Sequence, residues 1–364
     1  MKNKIGTIIF AFVLTFVFLV CLIKPPADIS VSERRPLAQM PDISIESVLG
    51  GKAASGFEKY ATDQFPLRDT LRKIKATFGM NILGKKDNNK LFTAEGHISK
   101  IDDDMSDYMI DYVATLFKRI TEKYMKDKSG KVYFSVVPDK NIILADKNGY
   151  PSMDYEAFFE KIREKTEFVE YIDITGFLSL NDYYRTDTHW RQEKIVDVAQ
   201  YLAERMGAEI EGEYWENTVN KPFYGVYYGQ IALPFEADDM VYLTNDTINS
   251  FIVTYYGSGK GEEGEVYNKK KLEGNDMYEM FLSGSEPLIT IENPNAQNEG
   301  ELVIFRDSFA SSIAPLLAQG YKKTTLVDIR YMQSDLVGEY VDFENCDVLF
   351  LYSTAVLNTS TSMK

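Results

Sequence analysis

The chain has 364 residues, 45% of them hydrophobic and 26% charged, with a formal net charge of -15 at pH 7. That length holds one large domain or two, and the composition is that of an ordinary globular protein. The acidic balance argues against nucleic acid and against an anionic membrane surface, since both favour basic patches. Two cysteines, Cys21 and Cys346, are too few for a disulfide framework or a thiolate metal site, and two histidines leave little for zinc. No metal and no cofactor is expected.

In chain order, Met1-Lys-Asn-Lys4 is a short basic head, and Ile5 to Ile23 is a run of 19 residues without a charge. That run is long enough to cross a bilayer core. Lys2 and Lys4 place the N-terminus in the cytoplasm and the body outside, which makes a single-pass cell-membrane protein. A cleaved signal peptide is the alternative, though Leu22-Ile-Lys-Pro-Pro26 offers no small-x-small site. A lipoprotein cleavage before Cys21 would want a small residue where Val20 stands. All three readings put the body outside the cytoplasm. Residues 1–24 are thus read as the anchor, 25–50 as a linker and 51–364 as the extracytoplasmic domain.

From Ala54 to Leu83 apolar residues recur at helical spacing (Phe57, Tyr60, Ala61, then Leu67, Leu71, Ile74 and Phe78), and Pro66 splits them into two helices. Leu91-Phe92 and Gly96-His97-Ile98 read as a hairpin, with His97 a turn or strand residue. Asp102 to Lys128 is a long amphipathic helix. Val132 to Val137 is a buried strand ending in Pro138-Asp139-Lys140, and a strand ending in a polar loop is where open α/β sheets place ligands. Tyr155 to Lys165 is helical, Val169 to Ile174 a strand and Arg191 to Met206 a helix. Residues 212–300 lack long helical patterns and read as a β-rich insertion, a lid or a substrate-binding face. Leu302 to Phe305, Thr325 to Ile329 and Val348 to Tyr352 are strands, with a helix from Ser308 to Leu317. Strands alternating with helices predict an α/β fold, a parallel sheet flanked by helices.

Two stretches carry chemistry. Tyr183-Tyr-Arg-Thr-Asp187-Thr-His189-Trp190 places a carboxylate two residues before an imidazole, the pairing that orients a general base. Phe305-Arg-Asp-Ser308-Phe309 is a strand, a sharp turn and a helix start, which exposes a serine oxygen beside backbone N–H groups able to hold an oxyanion. Ser308 is either a helix N-cap or a nucleophile served by His189 and Asp187.

Asp187-Thr-His189-Trp190 together with Arg306-Asp-Ser308-Phe309 resembles the DHHW family of bacterial membrane-anchored proteins. These are similar to the alginate O-acetyltransferases, whose catalytic domain is SGNH-hydrolase-like. Glu33-Arg-Arg-Pro-Leu-Ala38, Asp63-Gln-Phe-Pro-Leu-Arg-Asp69, Val137-Pro-Asp-Lys140 and Asp328-Ile-Arg330-Tyr331 extend the resemblance over roughly residues 30–358. Thr188 stands where the family name has its first histidine, and Arg306 where the common G-D-S form has glycine. The resemblance implies an SGNH-hydrolase-like fold and an acyl-serine mechanism with Ser308 as nucleophile, His189 as base and then acid, and Asp187 as orienter. It implies an extracellular polysaccharide as acceptor and a multi-spanning membrane-bound O-acyltransferase as the acetyl donor's carrier. Lys140, Trp190, Arg330 and Tyr331 are candidates for substrate contact, with packing the alternative for Trp190 and Tyr331 and a rim salt bridge the alternative for Arg330. An acetyl-esterase, and a non-catalytic glycan- or cell-wall-binding surface protein, stand beside the transferase.

Overall fold

The computed structural model describes residues 2–297, 299–359 and 361–364, with the side chains of Lys2 and Asn3 excepted. It contains two compact units. One comprises residues 1–89 and 228–235, the other residues 90–227 and 236–364.

The first unit begins with helix α1 (Lys2–Ile23), whose span Lys4–Ile23 has a mean hydropathy of 2.8 and no buried residue. Helices α2 (Lys52–Asp63) and α3 (Arg68–Thr77) follow, separated at Pro66 as the proline predicts. Leu67 takes a left-handed conformation (φ 58°), unusual for a branched side chain. Residues 25–50 are not the free linker that composition suggests. The buried Gln64 amide donates to the carbonyls of Ala27 and Ala38 and accepts from the Ala27 N–H. Arg35 forks onto Asp63 at 2.6 and 2.9 Å, and Glu33 is paired with Arg68 and Arg72. Arg35 holds the Asp63 carboxyl down at about 2. Burial alone would raise Glu33, but its hydrogen bond to Arg68 and the charges of Arg72, Arg68 and Arg35 hold it below the usual carboxylate range. Charges some thirty residues apart find each other here, a pairing no local pattern reveals.

The second unit is built on one eight-stranded sheet. Its strands are β1 (Val132–Val137), β2 (Glu170–Tyr171), β3 (Ile252–Tyr255), β4 (Glu262–Gly264), β5 (Leu288–Glu292), β6 (Glu301–Arg306), β7 (Lys323–Val327) and β8 (Cys346–Ser353), in the order β4-β3-β5-β7-β6-β8-β1-β2. The run β7-β6-β8-β1-β2 is parallel; β5, β3 and β4 extend it antiparallel. Alternate residues of the central strands feed two cores. Leu302, Ile304, Leu349 and Leu351 pack on one face, against α6 (Val196–Met206) and α7 (Ala310–Leu317). Val303, Phe305, Val348 and Phe350 pack on the other, against α4 (Asp107–Tyr124) and α5 (Tyr155–Lys165). Burial on both faces explains why these strands read as unbroken apolar runs. This is the SGNH-hydrolase-like arrangement expected.

Several expectations shift. The helix expected from Asp102 begins at Asp107, because Ser106 caps it by accepting from the Met109 N–H. The strand expected over 169–174 is only Glu170–Tyr171. The helix expected from Arg191 starts at Val196, after a 3₁₀ turn over Gln192–Lys194. The region 212–300 is not a separate insertion, since β3, β4 and β5 belong to the main sheet.

Candidate active site

The site lies at the carboxyl edge of the parallel strands and is formed within the second unit alone. Three segments meet there: the loop 183–190, the turn after β6, and residues from the 223–284 stretch.

The loop is closed at its base by a bridge between Tyr183 and Trp190 and by Tyr184 N–H donating to the His189 carbonyl at 3.1 Å. Inside it sits Lys140, just past the end of β1. Its ammonium donates to the carbonyls of Asp187 (2.6 Å) and Tyr184 (2.7 Å) and lies 5.4 Å from the Tyr227 ring centre. Burial drives its pKa down to about 7, against the pull of Asp187, Asp238 and Asp139. Buried Asp238 clamps the loop from the other side, accepting from the N–H groups of Arg185 and Thr186 at 2.8 Å and from the Thr186 hydroxyl at 2.5 Å. Gly225 N–H then donates to that hydroxyl. Two basic-to-carbonyl contacts and one carboxylate thus fix an irregular loop that has no ladder of its own.

Within the loop Asp187 is fully buried. Its Oδ1 accepts from His189 Nδ1 at 2.6 Å and from the His189 backbone N–H at 3.1 Å, while Oδ2 accepts from Val226 N–H at 2.7 Å. His189 Nε2 is 2.8 Å from Ser308 Oγ. The imidazole stacks on Tyr278, with ring centres 3.8 Å apart and planes 7° from parallel. An Asp–His–Ser line with these spacings fixes one tautomer, Nδ1–H toward Asp187 and Nε2 free to accept from the serine.

Ser308 is partly exposed and lies in the turn between β6 and α7, not inside the helix. Asp307, fully buried, locks that turn. Its Oδ1 accepts from Phe309 N–H and its Oδ2 accepts from both the N–H and the hydroxyl of Ser353, at the end of β8. Arg306 runs under the turn, donating to Ser311 Oγ and to the carbonyls of Gly284 and Glu286. Trp190 Nε1 donates to the Phe309 carbonyl (3.0 Å) and Ser312 Oγ (2.9 Å), which ties the histidine loop to the serine turn. No acceptor for the Ser308 N–H is present among the described residues.

Asp187, His189 and Ser308 are therefore brought together. Lys140 and Trp190 are not placed for substrate contact: both are buried, and each holds backbone of the site instead. Arg330 and Tyr331 follow β7 at the same sheet edge. Arg330 is bound to Asp328 at 2.6 and 2.9 Å, and Tyr331 is exposed with its ring 5.6 Å from the guanidinium. Thr188, in place of a histidine, takes a hydrogen bond from Tyr227 at 3.1 Å. Sequence reasoning missed Asp238, Tyr278, Gly225 and the Val226 N–H. Gly225, set between Tyr224 and Tyr227, is a local signal of a close approach.

An open α/β sheet flanked by helices is the SGNH-hydrolase-like fold expected from the sequence. Solved structures agree on the fold. The chain is similar to a DHHW family protein from Eubacterium siraeum (20% identity, 75% of this chain and 92% of that one, TM-score 0.57). It is similar also to PatB1 from Bacillus cereus (21% identity, 75% and 99%, TM-score 0.62). A more distant likeness is to the O-acetyltransferase domain of Pseudomonas putida AlgJ (12% identity, 76% and 94%, TM-score 0.44). No protein-family model matches the chain, and no curated protein matches it.

Proposed function

We propose that this chain is an extracytoplasmic O-acetyltransferase, held to the cell membrane by α1, that acetylates a cell-surface or exopolysaccharide through an acetyl-serine at Ser308. The observation that carries the reading is the continuous line Ser308 Oγ–His189 Nε2 at 2.8 Å and His189 Nδ1–Asp187 Oδ1 at 2.6 Å. The resemblance of the motifs around these residues to the DHHW family supports acetyl as the group moved. The apolar length of α1 supports the membrane anchor.

The chemistry follows from the geometry. His189 Nε2 takes the Ser308 proton as Oγ attacks the acetyl carbonyl, and the Ser308 N–H donates to the oxygen that becomes negative. Asp187 stabilises the imidazolium without taking its proton. The imidazolium then gives its proton to the departing donor oxygen, leaving acetyl on Ser308. A sugar hydroxyl enters, loses its proton to His189 and attacks the ester carbon, and Ser308 Oγ leaves with that proton. Water in place of the sugar gives an esterase. In the family-based reading, a multi-spanning membrane O-acyltransferase brings the donor to Ser308.

The test uses p-nitrophenyl acetate with the full chain, followed by mass spectrometry of the serine peptide. Turnover and an acetyl adduct on Ser308, both lost in Ser308→Ala and His189→Ala, are expected. Oligosaccharide acceptors that speed release of the adduct separate transfer from hydrolysis. A folded protein with neither turnover nor adduct, and no labelling of Ser308 by a sulfonyl fluoride, would sink the reading in favour of a glycan-binding protein.

A further inference from the structure

In the first unit an amphipathic helix is packed the wrong way round. Arg68 and Arg72 of α3 turn inward, to Glu33 and, from Arg72, to the Gly229 carbonyl, and Ala76 and Gly79 are buried beside them. The apolar stripe Leu67, Leu71, Ile74, Phe78, Ile82 faces outward, each residue between 46% and 75% exposed. Spacings of four, three, four and four place these five on one face of the helix and the π turn that continues it. The stripe is part of a wider pattern. Among the described residues outside α1, 23 large apolar side chains are exposed, and 15 of them lie between Ile29 and Leu83. Apolar area so concentrated marks a contact surface.

Charge indicates what covers it. The first unit carries 13 lysines and arginines against 8 aspartates and glutamates, and the second 27 against 47. The first unit is thus net +5 and the second -20, which together give the chain's -15. Residues 67–86 have six basic side chains and a single acid, Asp69, and with Arg68 and Arg72 turned inward to Glu33 the four lysines Lys73, Lys75, Lys85 and Lys86 remain. Lys75, next to Ile74 on the helix, and Lys85, three residues past Ile82, are exposed. Lysine is depleted from the cores of protein–protein interfaces, but at a lipid surface its stem lies along the acyl chains while the ammonium reaches the headgroups. A basic helix with an apolar face lies in the plane of a bilayer interface.

We propose that residues 67–83 form an interfacial anchor, with the Leu67–Ile82 stripe in the acyl boundary of a membrane bearing anionic headgroups and Lys75 and Lys85 on those headgroups. The proposal rests on the membrane reading of α1 and adds a second, sideways contact to it.

The experiment uses the full chain in vesicles of phosphatidylcholine and phosphatidylglycerol. In a Cys21→Ser background, with Cys346 buried, single cysteines replace Leu71, Ile74 or Phe78 on the stripe, Asp69 or Lys73 opposite it, and Val13 in α1. Each carries a bimane, quenched by nitroxide lipids or by aqueous iodide. The expected result is shallow lipid quenching and iodide shielding at 71, 74 and 78, the reverse at 69 and 73, and deep quenching at 13. Replacing phosphatidylglycerol by phosphatidylcholine, or combining Lys75→Gln with Lys85→Gln, should reduce the shielding. Deep quenching at 13 with the stripe open to iodide overturns the interfacial anchor and leaves the α1 reading standing. A stripe shielded from iodide yet untouched by lipid nitroxides overturns it in favour of a protein partner. An unquenched Val13 removes the α1 reading, and the stripe's own lipid quenching then decides the proposal alone.

Discussion

Gly225 stands where any side chain would collide with the Asp187 carboxylate. A Cβ there would lie 2.2 Å from the Asp187 Cβ and 2.5 Å from its Oδ2. Gly225→Ala should therefore push Asp187 off His189, and a displacement of that size costs about a hundredfold in rate. Reporter turnover falling on that scale, with the circular dichroism spectrum unchanged, is expected; wild-type turnover would mean that the aspartate does not set the imidazole. Lys140 makes a second prediction. Its ammonium is buried and titrates at about 7, against 10.5 for the free side chain. Between those values the unfolded chain holds a proton that the folded protein has lost, so the lysine's contribution to stability rises with pH across that window. Below it the full cost of the buried charge is felt. Lys140→Met should remove a slope of at most about 1.4 kcal/mol per pH unit from the pH dependence of unfolding. Both tryptophans, Trp190 and Trp215, lie in the second unit, so their fluorescence in urea reads that slope. Parallel wild-type and variant curves would contradict a lysine titrating there.

At the scale of elements, the join between the histidine loop and the serine turn is the indole of Trp190. Trp190→Phe keeps an aromatic ring in the core but removes the indole N–H from both the buried Phe309 carbonyl, which keeps the longer bond from Ser312 Oγ, and Ser312 Oγ itself, and should lower stability by about 1 kcal/mol. The thermal midpoint and the rate of Ser308 labelling by a sulfonyl fluoride should fall together, because the same bond holds the serine turn. What the sequence revealed and concealed follows the same division. Strands β1, β6 and β8 were legible because burial on both faces makes their runs apolar throughout. Asp187 and His189 were legible because their bond is local, the carboxylate taking both the backbone and ring N–H of a residue two positions on. Ser308 was legible from the strand, turn and helix around it. The pairing of β5 with β7 was not, since Ile289 meets Leu326 across a distance no periodicity encodes. Lys140 and Trp190 were candidates for substrate contact, with core packing the alternative for Trp190, because a polar or aromatic side chain in a loop looks alike in sequence whether it meets solvent or a buried carbonyl. Tyr278 and Asp238 reach the site from segments whose own patterns say nothing of histidine or threonine.

Across the whole molecule, the two units are held by different physics. The second has two hydrophobic cores sandwiching a sheet, while the first is tied by ions and amide hydrogen bonds and exposes much of its apolar surface. Acid should therefore loosen the first unit before the second. Asp63 titrates at about 2 against an ordinary 3.8, because Arg35 donates two hydrogen bonds to it, and Glu33 is held low as well. A carboxyl with a depressed folded pKa contributes stability that is fully present above its unfolded value and is lost as pH falls through the folded one. For Asp63 that window runs from 3.8 down to about 2. Hydrogen exchange on the full chain should show protection of α2 and α3 falling across this range while β1, β6 and β8 stay protected. Asp63→Asn should bring the same loss to neutral pH, since the amide cannot accept both Arg35 bonds and the Ala38 N–H as a charge. If α2 and α3 keep full protection in that variant, the ion network is an ornament of the unit, and Gln64 with its three backbone bonds holds residues 25–50 in place.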